Sequence, residues 1–444
     1  MSARLRQGLL LTGACLLLAL GIWVNTGTLA PYGATLEKPF LWESCNYPLN
    51  IDHFHFKATF LMLDGAPRDQ WEFSVVLRRI LYPLLAYPFM KRLGYGAGGL
   101  VTNVLLALGS LAVFWLALRR RLGEEPPAAL LALLATYPGW MYWAGLPYSY
   151  AAIVPLSLLC MVLLWRVETL TGWRQSLLTG LAMGVLFTGY DLLPFFGAAG
   201  VLLLLRRRLW VPCAVFTVAQ LIPTVLTAAV LWKVFQVPFR NGNTETYFAV
   251  LKSYVSPVDF WKWWYWLRQF PEAAVANTFF SNFLFLPLLF LLALLAARWL
   301  PRESRPVLRP AEAWLLIAAV LLFLFNNLAP PYSGWPLRGA WVPRLYQPVF
   351  VAMITTLALF YARASLLPRA LRRGAWTALG LVVVLQAWVV FAPVLGAPRL
   401  SGWLYYRFYE HASRPFYADN LQRLGTRPVG FCASPPISPE STTH

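Results

Sequence analysis

Long apolar stretches recur along this chain, and several of them end in clusters of arginine. A helix needs about 20 mostly apolar residues to cross the hydrocarbon core of a bilayer, so these stretches predict transmembrane helices. Hydrophobic residues make up 59% of the 444 residues and charged residues only 12%, whereas about 25% of the residues of a soluble domain are charged. The sequence therefore predicts an all-α polytopic membrane protein rather than a soluble domain.

About eleven stretches qualify as spans. Arg4 and Arg6 precede the first of them, and the residues that follow it lack a small-residue cleavage site, so we expect a retained anchor rather than a cleaved signal peptide. The predicted spans are residues 7–24, 97–118, 128–143, 149–165, 176–190, 191–205, 210–232, 277–297, 311–329, 345–362 and 375–397.

The positions of the arginines predict the orientation of these spans, because Lys and Arg in short loops stay in the cytoplasm. With eleven spans and a cytoplasmic N-terminus, every arginine cluster that ends a span lies inside. The inner side then holds 18 cations and five acids, and the outer side 19 cations and 13 acids, so the net charge of +19 divides into +13 and +6. We interpret the charge mainly as an orientation signal and expect no nucleic-acid partner.

Residues 73–93 are apolar enough to form a twelfth span, which would move the later arginine clusters to the outside. Pro83 and Pro88 divide the segment into pieces too short to span, because each proline removes a helix hydrogen bond and clashes with the preceding turn. We therefore expect two short juxtamembrane helices on the outer face.

This topology puts the C-terminus outside and gives a membrane domain over residues 1–397. It includes a long first extracytoplasmic loop (25–96) and a second large one (233–276), and a tail follows at 398–444. The preference for Arg over Lys is typical of a GC-rich bacterium, so we expect the bacterial inner membrane, with the functional site on the periplasmic face.

Polar and ionisable residues concentrate in the first outer loop, where an acid, two imidazoles and several cations lie just above the membrane. Such groups suit chemistry on a lipid-linked phosphate. A carboxylate can accept the proton of an acceptor hydroxyl as it attacks the anomeric carbon of a sugar. Arginine offers a bidentate fork to the leaving lipid phosphate. No Walker loop, zinc-spaced Cys pair or HExxH motif occurs.

Several short motifs accompany this loop: an Asp in its first half, and then Leu81-Tyr82-Pro83, Ala135-Thr-Tyr-Pro138, Ala144-Gly-Leu-Pro147-Tyr-Ser-Tyr150 and Pro343-Arg344-Leu-Tyr346-Gln-Pro348. Together with the architecture, they resemble the GT-C superfamily of integral-membrane glycosyltransferases. The resemblance implies a polyprenyl-phosphate-linked sugar donor, a glycan, lipid or protein acceptor, and inversion at the anomeric carbon. Membrane lipids are the remaining expected partners.

Asp52 matches the loop acid of that superfamily and is the candidate catalytic base. The alternative is that Asp52 caps a helix beginning at His53, as Asp commonly does. In the superfamily a second carboxylate often follows the acid, whereas His53 stands here. A lone Asp among imidazoles is a poor site for a hard cation, so the sequence supports no metal and predicts no cofactor.

The candidate ligands of the donor phosphate are cations of the outer side. Arg78 and Arg79 lie about 100° apart if helical, so only one can point into a given cleft. Arg344 opens a span from the outer side, against the orientation trend, and such a cation needs a partner. The alternative is contact with lipid headgroups. The full set is Arg78, Arg79, Arg344, Arg338 and Lys57.

Other polar residues are candidate substrate contacts. Asp191 is the sole acid within the apolar bulk and is a functional candidate for that reason, although it also suits an N-cap ahead of Pro194. The full set is His53, His55, Asp191, Tyr346 and Glu245. Two alternative functions are open. A lipid flippase or transporter would carry inverted repeats and broken, charged helices. An O-antigen-ligase-like enzyme or an acyl- or phosphotransferase would need His53 or His55 more than Asp52.

We predict a disulfide between Cys45 of the first outer loop and Cys432 of the tail, because both lie on the oxidising side. Two free or buried thiols are the alternative. The bond should make the non-reduced protein migrate faster on a denaturing gel than the reduced protein. Cys432→Ser should abolish this shift, whereas Cys160→Ser, in a predicted span, should leave it intact; a shift that survives Cys432→Ser contradicts the pairing.

Overall fold

The structure of the protein, a computed structural model, describes residues 3–26, 51–72, 74, 77–122, 128–237, 309–328, 346–363, 369–391 and 394. Within these ranges every regular element is a helix and no strand occurs. The α-helices, in chain order, are α1 (Ala3–Asn25), α2 (Ile51–Leu63), α3 (Leu81–Leu93), α4 (Tyr95–Leu122), α5 (Ala128–Ala135), α6 (Pro138–Ala144), α7 (Ile153–Val167), α8 (Trp173–Phe187), α9 (Pro194–Arg206), α10 (Trp210–Phe235), α11 (Pro310–Leu328), α12 (Gln347–Arg363) and α13 (Arg369–Phe391).

Four helical segments of the described chain are long and apolar enough to cross a membrane. They are Leu5–Asn25, Tyr95–Leu122, Ser149–Val167 and Trp210–Phe235, the third of which joins α7 to the 3-10 turn Ser149–Ala152. At 1.5 Å per residue, the 28 residues of α4 extend about 42 Å, more than the hydrocarbon core of a bilayer. The protein is thus a helical protein with the features of a membrane protein.

The predicted span 128–143 is not one helix. Helix α5 has eight residues and α6 has seven, and the chain breaks between them at Thr136 and Tyr137. Pro138 is the first residue of α6, and a residue before proline is forced out of the helical region; Tyr137 accordingly has φ −64° and ψ 110°. The prediction of one continuous helix was wrong here, because a proline can begin a helix as well as end one. The predicted span 277–297 lies outside the described residues.

Residues 73–93 also differ from the prediction of two short helices. The structure has one helix there, α3, with Pro83 in its first turn and Pro88 in its interior. The first N–H groups of a helix have no intrahelical partner, so Pro83 costs α3 nothing. Among the described residues of the first loop, helix α2 and the 3-10 helix Arg68–Gln70 lie earlier in the chain.

Helix α3 packs closely on the start of α4. A side chain at Gly98 would overlap the backbone of Met90, so glycine is required for the two backbones to approach. The Tyr82 hydroxyl donates a hydrogen bond to Asn103 Oδ1 at 2.7 Å, and Asn103 Nδ2 donates to the carbonyls of Ala144 (2.8 Å) and Leu146 (2.6 Å). A single buried amide therefore joins α3 and α4 to the segment that follows α6.

One end of the bundle is joined by a buried charge cluster. Arg121 Nη1 lies 2.7 Å from Glu168 Oε2, and Arg121 Nε lies 3.0 Å from Glu312 Oε1. The guanidinium also lies 5.4 Å from the centre of the Trp165 ring, and Glu312 is fully buried. These contacts hold together the C-terminal ends of α4 and α7 and the N-terminal end of α11.

A second set of contacts involves the N-terminal end of α4 and the C-terminal ends of α1 and α10. The Tyr95 hydroxyl donates to the carbonyl of Pro147 at 3.3 Å. A side chain at Gly145 would come within 2.8 Å of the carbonyl of Asn25, at the end of α1. Arg68 Nη1 donates to Gln236 Oε1, just after α10, at 3.1 Å. The described helix ends named here and those around Arg121 thus fall into two separate groups.

Helices α8 and α10 pack through small residues. Gly180 and Gly184 are one turn apart on α8, in the small-xxx-small pattern that lets membrane helices approach closely. A side chain at Gly180 would come within 2.7 Å of the Phe216 carbonyl oxygen, and one at Gly184 would overlap the carbonyl of Gln220. This contact depends on glycine because the obstructing atoms belong to the backbone.

Gly184→Ala should therefore destabilise the protein. A methyl group that meets a backbone carbonyl cannot be accommodated by a side-chain rotation, and such overpacking costs roughly 1–3 kcal/mol. The control is Gly109→Ala on α4, where the added methyl meets open space. Unfolding of both variants in the same detergent gives the comparison. Equal stability of the two would contradict the close packing of α8 on α10.

Candidate functional site

The candidate site centres on an ion pair between two turns. Arg79 lies just before α3, and Asp191 lies in the turn between α8 and α9. Arg79 donates to the same carboxylate oxygen, Asp191 Oδ2, from Nε at 3.0 Å and from Nη2 at 2.5 Å. The Arg79 side chain is 13% exposed and that of Asp191 29%. The carboxylate is thus the more accessible member of a largely buried pair.

Two buried tyrosines complete the surroundings of Arg79. Its guanidinium carbon lies 5.1 Å from the centre of the Tyr190 ring and 5.9 Å from that of Tyr150, within the range of cation–π attraction. Burial alone would lower the pKa of the Arg79 guanidinium. The facing Asp191 carboxylate, helped by Tyr150 and Tyr190, outweighs burial and raises this pKa above its ordinary value. Arg79 therefore stays charged at neutral pH.

The backbone explains why these two turns meet. The N–H of Leu81, at the start of α3, donates to the carbonyl of Thr188 at the end of α8, at 3.4 Å. Asp191 does not cap α9, because the N-cap of that helix is Leu193 and no side chain caps it. The capping interpretation of Asp191 is therefore wrong, and its carboxylate is directed to Arg79 instead.

Arg78 shares the influence of the same carboxylate. Burial lowers the pKa of its half-buried guanidinium, and the charge of Asp191 opposes that shift. The prediction that Arg78 and Arg79 lie on a helix, with their side chains about 100° apart, was wrong, because both residues precede the first residue of α3. Both cations therefore lie close enough to Asp191 for its charge to act on them.

Helix α2 is connected to this site through Phe56. The Phe56 ring lies 4.9 Å from that of Tyr150, edge to face, and 5.3 Å from that of Tyr148. Position 52 is one turn before Phe56, and residues four apart share a helix face. Asp52 is the second residue of α2 rather than the residue before it, which disfavours the capping alternative. The side chains of Asp52, His53, His55 and Lys57 lie outside the described part.

Another carboxylate, Asp64, has different partners. It accepts a hydrogen bond from the Tyr87 hydroxyl at 2.7 Å and forms an ion pair with Lys91 at 2.8 Å. The hydrogen bond that the Lys91 ammonium donates to Asp64 is the main cause that raises the pKa of Lys91. This pair is exposed, so it offers a solvated counterpart to the buried pair of Arg79.

The remaining predicted residues are only partly described. Tyr346 is buried just before α12, and its ring lies 5.9 Å from that of Phe323 on α11. Next to it, Gln347 Nε2 donates to the carbonyl of Gly139 at 3.0 Å. Five predicted residues lie outside the described residues: Arg338, Arg344, Glu245, Cys45 and Cys432. Among the residues that are described, no group of three or more His, Cys, Asp and Glu is placed to hold a metal.

The sequence interpretation missed Tyr150 and Tyr190 as members of the site. Tyr190 precedes Asp191 directly, and Tyr150 ends one of the motifs quoted for the resemblance, so both had a signal in the sequence. Trp143 extends this aromatic group, with its ring 5.1 Å from that of Tyr150. For Tyr190, the informative pattern was an aromatic residue next to a charged one in an otherwise apolar segment.

A double-mutant cycle should detect the buried pair. Arg79→Gln and Asp191→Asn should each lower the free energy of unfolding by roughly 1–3 kcal/mol, because each leaves a charged partner without its counterion. The double variant should lose less than the sum of the two. The control cycle uses Arg68 and Glu72, which form a half-exposed pair and should couple by at most about 0.5 kcal/mol. Additive losses at Arg79 and Asp191 would contradict the pairing.

Comparison of the chain with family models, with curated proteins and with solved structures finds no match.

Proposed function

We propose that this chain is a GT-C-like membrane glycosyltransferase that moves a sugar from a polyprenyl-phosphate carrier to an acceptor hydroxyl. Its active site faces the extracytoplasmic side of the bacterial inner membrane, and the chain has eleven spans with the N-terminus inside. The observation that carries the proposal is the environment of Arg79, a largely buried cation in a turn beside a second arginine. A lipid phosphate at the membrane surface is an anion that such a pair of cations would bind.

The contacts between helix ends agree with the proposed topology. Arg121, Glu168 and Glu312 lie in loops or at a span end that the eleven-span scheme assigns to the cytoplasmic side, and they are in contact. Arg79 lies in the first outer loop of that scheme and Asp191 at the outer turn between two spans, and they are also in contact. A scheme with residues 73–93 as an extra span would bury Arg79 within that span and move Asp191 to the inner face of the membrane. The contact between these two residues therefore favours the eleven-span scheme.

In the proposed reaction Asp52 is the general base. It accepts the proton of the acceptor hydroxyl while the hydroxyl oxygen bonds to the anomeric carbon of the donor. The bond between that carbon and the carrier phosphate oxygen breaks, and the phosphate leaves with the electron pair. Attack opposite the leaving group inverts the anomeric centre. Phe56 supports this role, because it connects the helix of Asp52 to the Tyr150 ring that faces Arg79.

Arg78 and Arg79 stabilise the charge that develops on the phosphate. The donor is a diester with one negative charge, and the released carrier is a monoester with up to two at neutral pH. Cations placed where charge increases stabilise the transition state more than the ground state. Arg344, Arg338 and Lys57 are proposed as further phosphate ligands, and His53, His55, Asp191, Tyr346 and Glu245 as substrate contacts, from their positions in the sequence.

Asp52→Asn should stop sugar transfer while the donor lipid still binds. Loss of a general base lowers the rate by about 10²–10⁴-fold, and the neutral amide does not remove the phosphate ligands. Transfer from a polyprenyl-phosphate sugar is followed by product mass spectrometry, and donor binding by the lipids that co-purify. Asp69→Asn, an exposed acid of the same loop, is the matched control and should be fully active.

Three outcomes separate the alternatives. Unchanged transfer by Asp52→Asn removes Asp52 from the mechanism. Loss of activity in His53→Gln or His55→Gln, with Asp52→Asn still active, favours an acyl- or phosphotransferase. Co-purification of polyprenyl phosphate without any transferase activity favours a flippase.

A further inference from the structure

The pairing geometry of Arg79 creates a competition at the proposed phosphate site. Arg79 Nε and Nη2 both donate to Asp191. These two N–H groups form one edge of the guanidinium, which is the edge that binds two oxygens of a phosphate side by side. While Asp191 holds this edge, a phosphate cannot take it. Asp191 and an incoming phosphate are therefore competing ligands of the same donors.

The surroundings of Asp191 allow its carboxylate to leave. Asp191 lies in a turn rather than in a helix, and its side chain is the more exposed member of the pair. The charge cluster around Arg121 has the opposite character. Its Glu312 is fully buried in the first turn of α11 and also accepts a hydrogen bond from the Arg309 backbone N–H at 2.9 Å. Movement of Glu312 would disturb a helix start, whereas rotation of Asp191 requires only a side-chain change.

We propose that Asp191 is an internal counterion that occupies the phosphate position on Arg79 between turnovers and exchanges with the phosphate of the carrier lipid. The inference rests on the proposed function, and it assigns Asp191 as a positioning residue rather than a catalytic one. It also identifies the ligand of this edge as a phosphate at the membrane surface.

The exchange has a physical consequence for turnover. Two arginines that bind a phosphate monoester dianion without competition would hold the product more tightly than the donor monoanion, because the product has more charge. The return of Asp191 to Arg79 offsets part of that difference. The carboxylate lowers the affinity for both lipids, but it also keeps Arg79 neutralised and oriented when the site is empty.

The test measures phosphate binding by the full-length protein in detergent. The probe is decyl phosphate, and decanol is the uncharged reference. Asp191→Asn should bind decyl phosphate about tenfold more tightly than the original protein, because one charge-assisted hydrogen-bonding competitor is removed. Asp64→Asn removes an outer-side carboxylate with the same change in net charge, but from Lys91. Its affinity should be unchanged, and equal gains in both variants would reduce the effect to net charge and overturn the exchange.

A second measurement covers the case in which Asp191→Asn is poorly folded. A ligand that binds the folded state stabilises it, and at a given concentration the tighter ligand stabilises it more. Decyl phosphate should therefore raise the melting temperature of Asp191→Asn more than that of the original protein. Asp191→Glu keeps the charge and should behave like the original. A purely structural ion pair predicts a less stable Asp191→Asn with no gain in phosphate affinity, and that result overturns the exchange.

The outcomes distinguish this inference from the proposed function. If the original protein binds decyl phosphate better than decanol and Asp191→Asn binds it no more tightly, the exchange is wrong while the phosphate site stands. If neither protein prefers decyl phosphate over decanol, the phosphate site itself is wrong, and both proposals fail together.

Discussion

A guanidinium shielded from water needs an anion within reach, because an unpaired buried charge costs several kcal/mol. This requirement shapes both ends of the bundle. At one end Arg121 is held by two carboxylates, and among the described side chains of that cluster the acids outnumber the cation. At the other end Asp191 is the carboxylate that acts on both Arg78 and Arg79. The first arrangement fixes three helix ends with a fully buried acid, whereas in the second the carboxylate is the more exposed member of the pair.

Much of the fold follows from apolar length alone, which is why the predicted spans 97–118 and 210–232 agree with α4 and α10. Proline was harder to interpret, because its effect depends on its place in the helix. Pro83 lies in the first turn of α3 and Pro138 at the first position of α6, where the missing N–H has no cost. The sequence alone does not distinguish these two prolines from prolines that break a helix, because the distinction depends on where the helix begins.

The site was predictable in its residue types but not in its pairing. Asp191 was recognisable as an acid in an apolar segment, and Arg79 as a cation next to the membrane. They are 112 residues apart, and their contact depends on the meeting of the α8–α9 turn with the start of α3. That contact depends on the tertiary structure, and no short sequence pattern near either residue predicts it. Tyr150 and Tyr190 stand in or beside quoted motifs, but their contact with Arg79 also depends on this meeting of the two turns.

Asn103 bears on how such a chain is assembled in the membrane. Its side-chain oxygen accepts a hydrogen bond from Tyr82, and its side-chain amide nitrogen donates to the carbonyls of Ala144 and Leu146. These two residues are synthesised some 40 residues after Asn103. Before α6 emerges, α4 carries an amide that has no partner among those later carbonyls, and lipid offers it none. We therefore expect α4 to reach its final packing only after the α5–α6 segment has been synthesised. One buried side chain thus couples the order of synthesis to the order of helix packing.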